Sequence, residues 1–348
     1  MPLLSSLARH ILAASLAVSA GIAAAKPVHV PVYKSDFPDP FVIEHDGAFI
    51  AYSTNSAGVN LPMISSTDLV NWRPVGDPAR PGKMLDGMPE LAPWVEEGRT
   101  WAPEVIQVGN QWLLYYTARD RERKLQCIGG AAASSPRGPF RDTSRQPLLC
   151  QDTLGGTIDA NPFRDADGKL YLTYKNDGNA VAKPTHVWSQ RLSEDGLSMV
   201  GEPAALITND RPWEEHLVEA SSMVRTPDGI ALFYSANHYG WETHQRLSPY
   251  AMGYAMCKTP LGPCTDAAAN PILYSYNDKQ AGCLSGPGHQ AVFRAQGGTF
   301  IAFHAWAATK KGCRKAKDER YLYIAPFGWE NGKPVVAPSL RRETRERD

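Results

Sequence analysis

The chain has 348 residues, 36 of them basic and 36 acidic, so its formal charge at neutral pH is zero. That balance argues against nucleic acid or an anionic membrane as the main partner, because both recruit basic faces. The 9 tryptophans, 14 tyrosines and 10 phenylalanines supply bulk that favours strands and flat faces for stacking.

Residues 1–25 read as a secretory leader. Arg9 and His10 precede an apolar run from Ile11 to Val18 broken only by Ser15, and Ala23-Ala24-Ala25 forms a cleavage site before Lys26. The run is too short to span a bilayer, so the expected location is outside the cell or in the periplasm, with no membrane anchor. Residues 26–340 read as one domain. The tail 341–348 (RRETRERD) is charged, has no apolar residue and is expected to fray.

Five times the chain repeats a short apolar strand, a Gly-bearing turn and an aromatic-rich strand. The copies are IEHDGAFIAYSTN (43–55), VIQVGNQWLLYYTAR (105–119), PFRDADGKLYLTYKND (162–177), SMVRTPDGIALFYSAN (222–237) and AVFRAQGGTFIAFHAW (291–306). Their turn glycines, Gly47, Gly109, Gly168, Gly229 and Gly298, lie about 60 residues apart, a period that carries hairpins rather than helices. A second tier repeats further out, at SSTDLVNW (65–72), SSPRGPF (134–140) and TPLGPC (259–264). Repeats of this kind close radially, which protects strand edges. The expected fold is therefore all-β, a five-bladed β-propeller. Segment 73–100 is rich in Pro and Gly, has no period, and reads as a long loop between blades.

Upstream of the turns stand Asp39, Glu104, Asp159, Glu219 and His289. Equivalent strand starts converge at one end of a propeller channel, so these five are expected to form a ring. Like charges so gathered repel one another, which a purely structural core would avoid. The loops expected to return to the same end are 54–62, 118–126, 175–187, 237–251 and 305–320. They bring Arg119, Lys175, Asn176, Asp177, His238, Trp241 and His244 as candidate contacts.

Six cysteines in an exported chain suggest disulfides. Blade positions favour Cys127 with Cys150, Cys257 with Cys264, and Cys283 with Cys313. Metal ligation competes with that reading, but there is no C-x-x-C pair.

Asp39 lies in Phe37-Pro38-Asp39-Pro40, where two prolines restrict the backbone on both sides. Asp159 follows Gly156-Thr157-Ile158, and Glu219 lies in Leu217-Val218-Glu219-Ala220. Two carboxylates flanking a bound sugar are what glycosidic cleavage requires, and a third nearby can raise the proton donor's pKa. No G-x-S-x-G elbow or H-E-x-x-H motif competes. Asp165-Ala166-Asp167-Gly168 lacks the later ligands of a calcium loop and reads as a tight turn.

The chain resembles glycoside hydrolase family 43 in FPDPFVI (37–43), WAPEV (101–105), GTIDANPFRDADGKLYL (156–172), VEASSMV (218–224) and GPGHQAVF (286–293). These motifs span all five repeats. The resemblance implies an inverting glycosidase on a five-bladed propeller, acting on arabinose- and xylose-containing plant polysaccharides. It matches Asp39 to the general base, Glu219 to the general acid and Asp159 to the residue that tunes and orients that acid. It places His289 beside a channel-bound calcium or water, as the candidate metal contact, and gives Glu104 a supporting position. The chemistry itself requires no cofactor. Ala220-Ser221 departs from the Gly or Ala followed by Pro of many relatives, which touches loop shape more than the acid.

Candidate sugar contacts are Phe37, Trp101, Asn176, Trp241 and His289. The long returning loops suggest a walled pocket and an exo-acting α-L-arabinofuranosidase, expected as a monomer. A β-xylosidase or endo-arabinanase would share the same triad. A carbohydrate-binding propeller without turnover is the rival from another class, and the intact carboxylates speak against it.

Overall fold

In a computed structural model describing residues 27–241, 247–295, 297–309 and 311–341, the repeats pair in chain order into antiparallel sheets. Blade one holds β1 (Phe41–His45), β2 (Ala48–Tyr52), β3 (Met63–Ser66) and β4 (Arg73–Pro74). Blade two has β5 (Trp101–Val108), β6 (Gln111–Arg119) and β7 (Gln126–Ala133), with isolated bridges Ile128–Leu149 and Ala132–Arg141 along its outer edge. Blade three is β8 (Thr157–Arg164), β9 (Leu170–Asn176), β10 (His186–Leu192) and β11 (Met199–Thr208). Blade four is β12 (Val218–Thr226), β13 (Gly229–Ala236), β14 (Ala251–Cys257) and β15 (Cys264–Asp266). A small hairpin, β16 (Tyr276–Asp278) with β17 (Gly282–Leu284), precedes blade five. That blade is β18 (Gly288–Ala295), β19 (Gly298–Ala308), β20 (Lys315–Glu330) and β21 (Lys333–Val336). There is no α-helix among the described residues, and so none long and apolar enough to cross a membrane.

The period-two alternation of a strand explains why five sheets close into a ring. Side chains along β6 point alternately to its two neighbours. Leu114 and Tyr116 pack with Ile50 and Tyr52 of blade one, whereas Leu113 and Tyr115 pack with Leu170 and Leu172 of blade three. The same sharing continues through Val187 with Leu232 and Tyr234, Met252 with Phe303 and Tyr323, and Phe293 and Leu322 with Ala51 and Ile64. Five apolar seams thus join five blades. The seam between blades five and one is reinforced by the leading segment, where Val32 and Phe37 donate their backbone N–H groups to the carbonyls of Leu322 and Arg320 at 2.9 and 2.8 Å.

Disulfides join Cys127 to Cys150, Cys257 to Cys264 and Cys283 to Cys313, and no cysteine is free. All three pairs are those that the blade positions favoured. The leader 1–25, residues 342–348 of the tail and His244 lie outside the described residues.

Candidate active site

The site grows out of a backbone irregularity repeated in the inner strands of blades two to five. Pairing with the second strand shifts register between Trp101 and Glu104, Ile158 and Asn161, Glu219 and Ser222, and Gly288 and Ala291. The first residue of each bulge has a left-handed backbone: Ala102 at φ 46°, Asp159 at 57°, Ala220 at 53° and His289 at 49°. Asp39, at φ 54°, has the same left-handed backbone two residues before β1 in blade one. A bulge re-aims a side chain, and here it presents the residue at one mouth of the propeller.

Of the expected ring, Asp39, Asp159, Glu219 and His289 line one pocket, and Glu104 does not. Glu219 stands one residue before its bulge, paired with Ser235, and Glu104 stands after its own, paired with Tyr115. The bulge positions of blades two and four are Ala102 and Ala220. The extra residue of a bulge is invisible when positions are counted back from a turn glycine, so the spacing does not distinguish Glu104 from Ala102. Glu104 instead lies one layer deeper, accepting a hydrogen bond from the Asn161 side chain, whose carbonyl receives the Met223 N–H at 2.9 Å. Burial pushes the Glu104 carboxyl up to about 8, against the hydrogen bond from Asn161.

Asp39 is held from every side. Its Oδ1 receives the Arg320 guanidinium at 2.9 Å and lies 3.2 Å from His289 Nδ1, while Oδ2 accepts from the Thr54 hydroxyl. Its backbone N–H donates to His304 Nδ1 at 3.1 Å. Burial alone would raise the Asp39 pKa, but Arg320 and His289 overcome it and hold the carboxyl well below the usual range. Burial also disfavours the His289 cation, yet Asp39 and Asp159 outweigh it and lift the ring to about 9. The His304 ring is lowered to about 4 by burial and by Arg320, so it stays neutral and can accept from the backbone.

Across the pocket the second group is arranged differently. Glu219 Oε1 accepts from the Tyr250 hydroxyl at 2.8 Å, and Oε2 from the Lys175 ammonium at 3.0 Å. Asp159 Oδ2 accepts the Ala220 N–H at 3.0 Å. Burial and the Glu219 charge, opposed by His289 and Lys175, raise Asp159 to about 6. All three carboxylates line one pocket of about 410 Å³, together with Trp101, Leu217 and Tyr239. Two other hollows, of about 620 and about 720 Å³, each contain a single carboxylate, Glu97 and Asp142 respectively.

Of the expected sugar contacts, Trp101 and His289 line the pocket. Phe37 is buried in the seam between blades five and one, its ring edge-on to Tyr33 at 5.7 Å. Asn176 faces away. Its amide donates to the Pro184 carbonyl and its oxygen accepts from His186 N–H and Trp188 Nε1, which pins the following loop. Trp241 is buried and is not part of the lining. Lys175 and Asp177 do reach the pocket, whereas Arg119 pairs with Glu96 at 3.7 Å. Thr54, Tyr250, His304 and Arg320 were not anticipated. No group of three or more carboxylate, imidazole or thiolate ligands surrounds a common point among the described residues.

The family model for glycosyl hydrolases family 43 matches residues 28–334. The chain belongs to that family, whose members are glycoside hydrolases. Among curated proteins it is 26% identical over 306 residues to an arabinoxylan arabinofuranohydrolase of Paenibacillus polymyxa, covering 82% of this chain and 45% of that protein. It is 22% identical over 363 residues to the extracellular endo-alpha-(1->5)-L-arabinanase 2 of Bacillus subtilis, covering 88% of this chain and 72% of the other. The chain thus spans about half the length of the first relative and nearly three quarters of the second. Among solved structures, a thermostable family-43 glycoside hydrolase superimposes with a TM-score of 0.72 at 26% identity, covering 89% of this chain and 95% of that one.

Proposed function

We propose that this family 43 member is an exported, inverting α-L-arabinofuranosidase that removes terminal arabinose from plant polysaccharide. The observation that carries the reading is the contrast within one pocket between Asp39 and the Glu219–Asp159 pair. Arg320 and His289 keep Asp39 ionised, as a base must be, and Glu219 faces it beside an Asp159 whose pKa is raised. Sites that push the pKa values of paired groups apart assign acid and base roles.

In this reading Asp39 takes a proton from water as the water oxygen bonds to the anomeric carbon. The glycosidic C–O bond breaks on the opposite face, and Glu219 gives its proton to the departing oxygen. One displacement inverts the anomeric centre. Trp101 and the half-exposed Tyr239 offer faces on which sugar rings can stack. The arabinose preference is supported by the arabinofuranohydrolase and arabinanase relatives. Attack at chain ends is the expectation from the long loops that return to the mouth, and three disulfides fit an oxidising compartment.

The test is proton NMR on nitrophenyl α-L-arabinofuranoside, nitrophenyl β-D-xyloside and linear arabinan. The expected result is inverted arabinose as the first product, with arabinan viscosity nearly unchanged. A retained anomer would overturn the base role of Asp39. Faster release of xylose would overturn the sugar assignment, and a rapid viscosity drop would overturn chain-end attack.

A further inference from the structure

The second strand of each blade ends at the mouth with one side chain aimed at the next blade's bulge. In four blades this side chain accepts the N–H of the left-handed residue there. Thr54 takes that of Ala102 at 2.9 Å, Thr117 that of Asp159 at 3.1 Å, Ser235 that of His289 at 2.8 Å, and His304 that of Asp39 at 3.1 Å. Blade three breaks the pattern. Lys175 occupies the position there, paired with Ile158 as Thr117 is with Trp101, and an ammonium has no lone pair with which to accept.

Two contacts follow from that substitution. The Ala220 N–H, left without the usual partner, goes to Asp159 Oδ2 at 3.0 Å. The ammonium turns instead to Glu219 Oε2 at 3.0 Å, with Asp177 Oδ1 at 3.6 Å. Lys175 is 1% exposed, and burying a charge is unfavourable unless it is paired. A threonine would serve the backbone as it does in blades one and two, so the fold alone gives no reason for a lysine. Burial acts against the ammonium, but Glu219, Asp177 and Asp159 together keep it charged.

We propose that Lys175 is a positioning residue for proton delivery, holding the Glu219 carboxyl in the pocket and leaving the Ala220 N–H free to fix Asp159 beside it. The proposal rests on the reading of Glu219 as the acid.

Lys175→Thr restores the hydroxyl used elsewhere in the ring. Its kcat on an arabino-oligosaccharide should fall about a hundredfold, the scale of a general-acid contribution. Hydrolysis of nitrophenyl arabinofuranoside, whose phenolate leaves without a proton, should fall less than about tenfold with KM little changed. In Lys175→Ala, added n-propylammonium supplies the three carbons and the nitrogen that the substitution deletes, and should restore kcat saturably. Lys175→Met keeps the bulk of the stem, and gives the leaving-group comparison if shorter side chains do not fold. Equal losses on both substrates, a change confined to KM, or no rescue of folded Lys175→Ala would overturn the proposal. Glu219→Gln is measured in parallel. A leaving-group-independent loss there overturns the acid reading itself, whereas a leaving-group-dependent loss there with a uniform loss in Lys175 variants overturns only the role of Lys175.

Discussion

Asp39 and Asp159 share a left-handed backbone at the mouth, φ 54° and 57°, yet their surroundings drive them in opposite directions. Around Asp39, blade five contributes Arg320, His289 and a neutral His304, and the carboxyl is held far below its ordinary pKa. Around Asp159, burial and the charge of the acid candidate Glu219 prevail, and the carboxyl rises to about 6. The backbone repeat delivers a side chain to the mouth. What that side chain does is decided by the charges that neighbouring blades place around it.

The most damaging way to erase this contrast is Asp39→Ala. It should lower kcat about 10³–10⁴-fold, equally for good and poor leaving groups, in steady-state assays on nitrophenyl and oligosaccharide substrates. Glu219→Gln should separate the two corners further. A loss of about 10²-fold is expected on arabino-oligosaccharides and less than about tenfold on nitrophenyl arabinofuranoside, because only the former needs a proton on the leaving oxygen.

Arg320→Ala removes the cation that depresses Asp39. A base works only when ionised, so raising its pKa raises the pH below which activity is lost. The acid limb of kcat/KM should move upward by about one unit or more, read from a pH–rate profile.

The smallest effect concerns stability. Glu104 is raised from 4.5 to about 8 and His289 from 6.5 to about 9, so the folded state binds protons more tightly than the unfolded state. The Glu104 contribution is full below about 4.5 and fades as pH climbs to 8. That of His289 is full below 6.5 and fades as pH rises through about 9. The thermal midpoint should therefore fall between pH 5 and pH 9, and Glu104→Gln should fall less steeply in calorimetry.

Much of the architecture is legible in the chain because it is local. The turn glycines, the apolar alternation of the second strands and the pairing of cysteines within blades all depend on neighbours close in sequence. The bulges are not local in this sense. Whether Glu219 or Ala220 takes the left-handed position depends on pairing with β13, and no spacing announces it. One further signal is readable in the sequence. The residue after the aromatic in successive second strands runs Tyr116-Thr117, Tyr174-Lys175, Tyr234-Ser235 and Phe303-His304, a column of hydrogen-bonding side chains with one lysine in it. Arg320 carries no comparable mark. It reaches Asp39 from 281 residues away, and only ring closure brings the two together. Asn176 follows Lys175 on β9, and a strand's neighbouring residues face opposite ways.

The left-handed residues at the mouth also bear on how far this protein could be hardened. A non-glycine residue in that conformation is disfavoured by roughly 1–2 kcal/mol, so the five of them together withhold on the order of 5–10 kcal/mol. That is comparable to the entire net stability of an ordinary domain. Three of the positions carry polar groups of the pocket and are committed, but Ala102 and Ala220 contribute no side-chain chemistry. Ala102, whose N–H is already satisfied by Thr54, is the place where glycine would release strain without disturbing a carboxylate. Thermal tolerance and catalytic geometry are therefore separable at this position, even though the same bulge creates the demand for both.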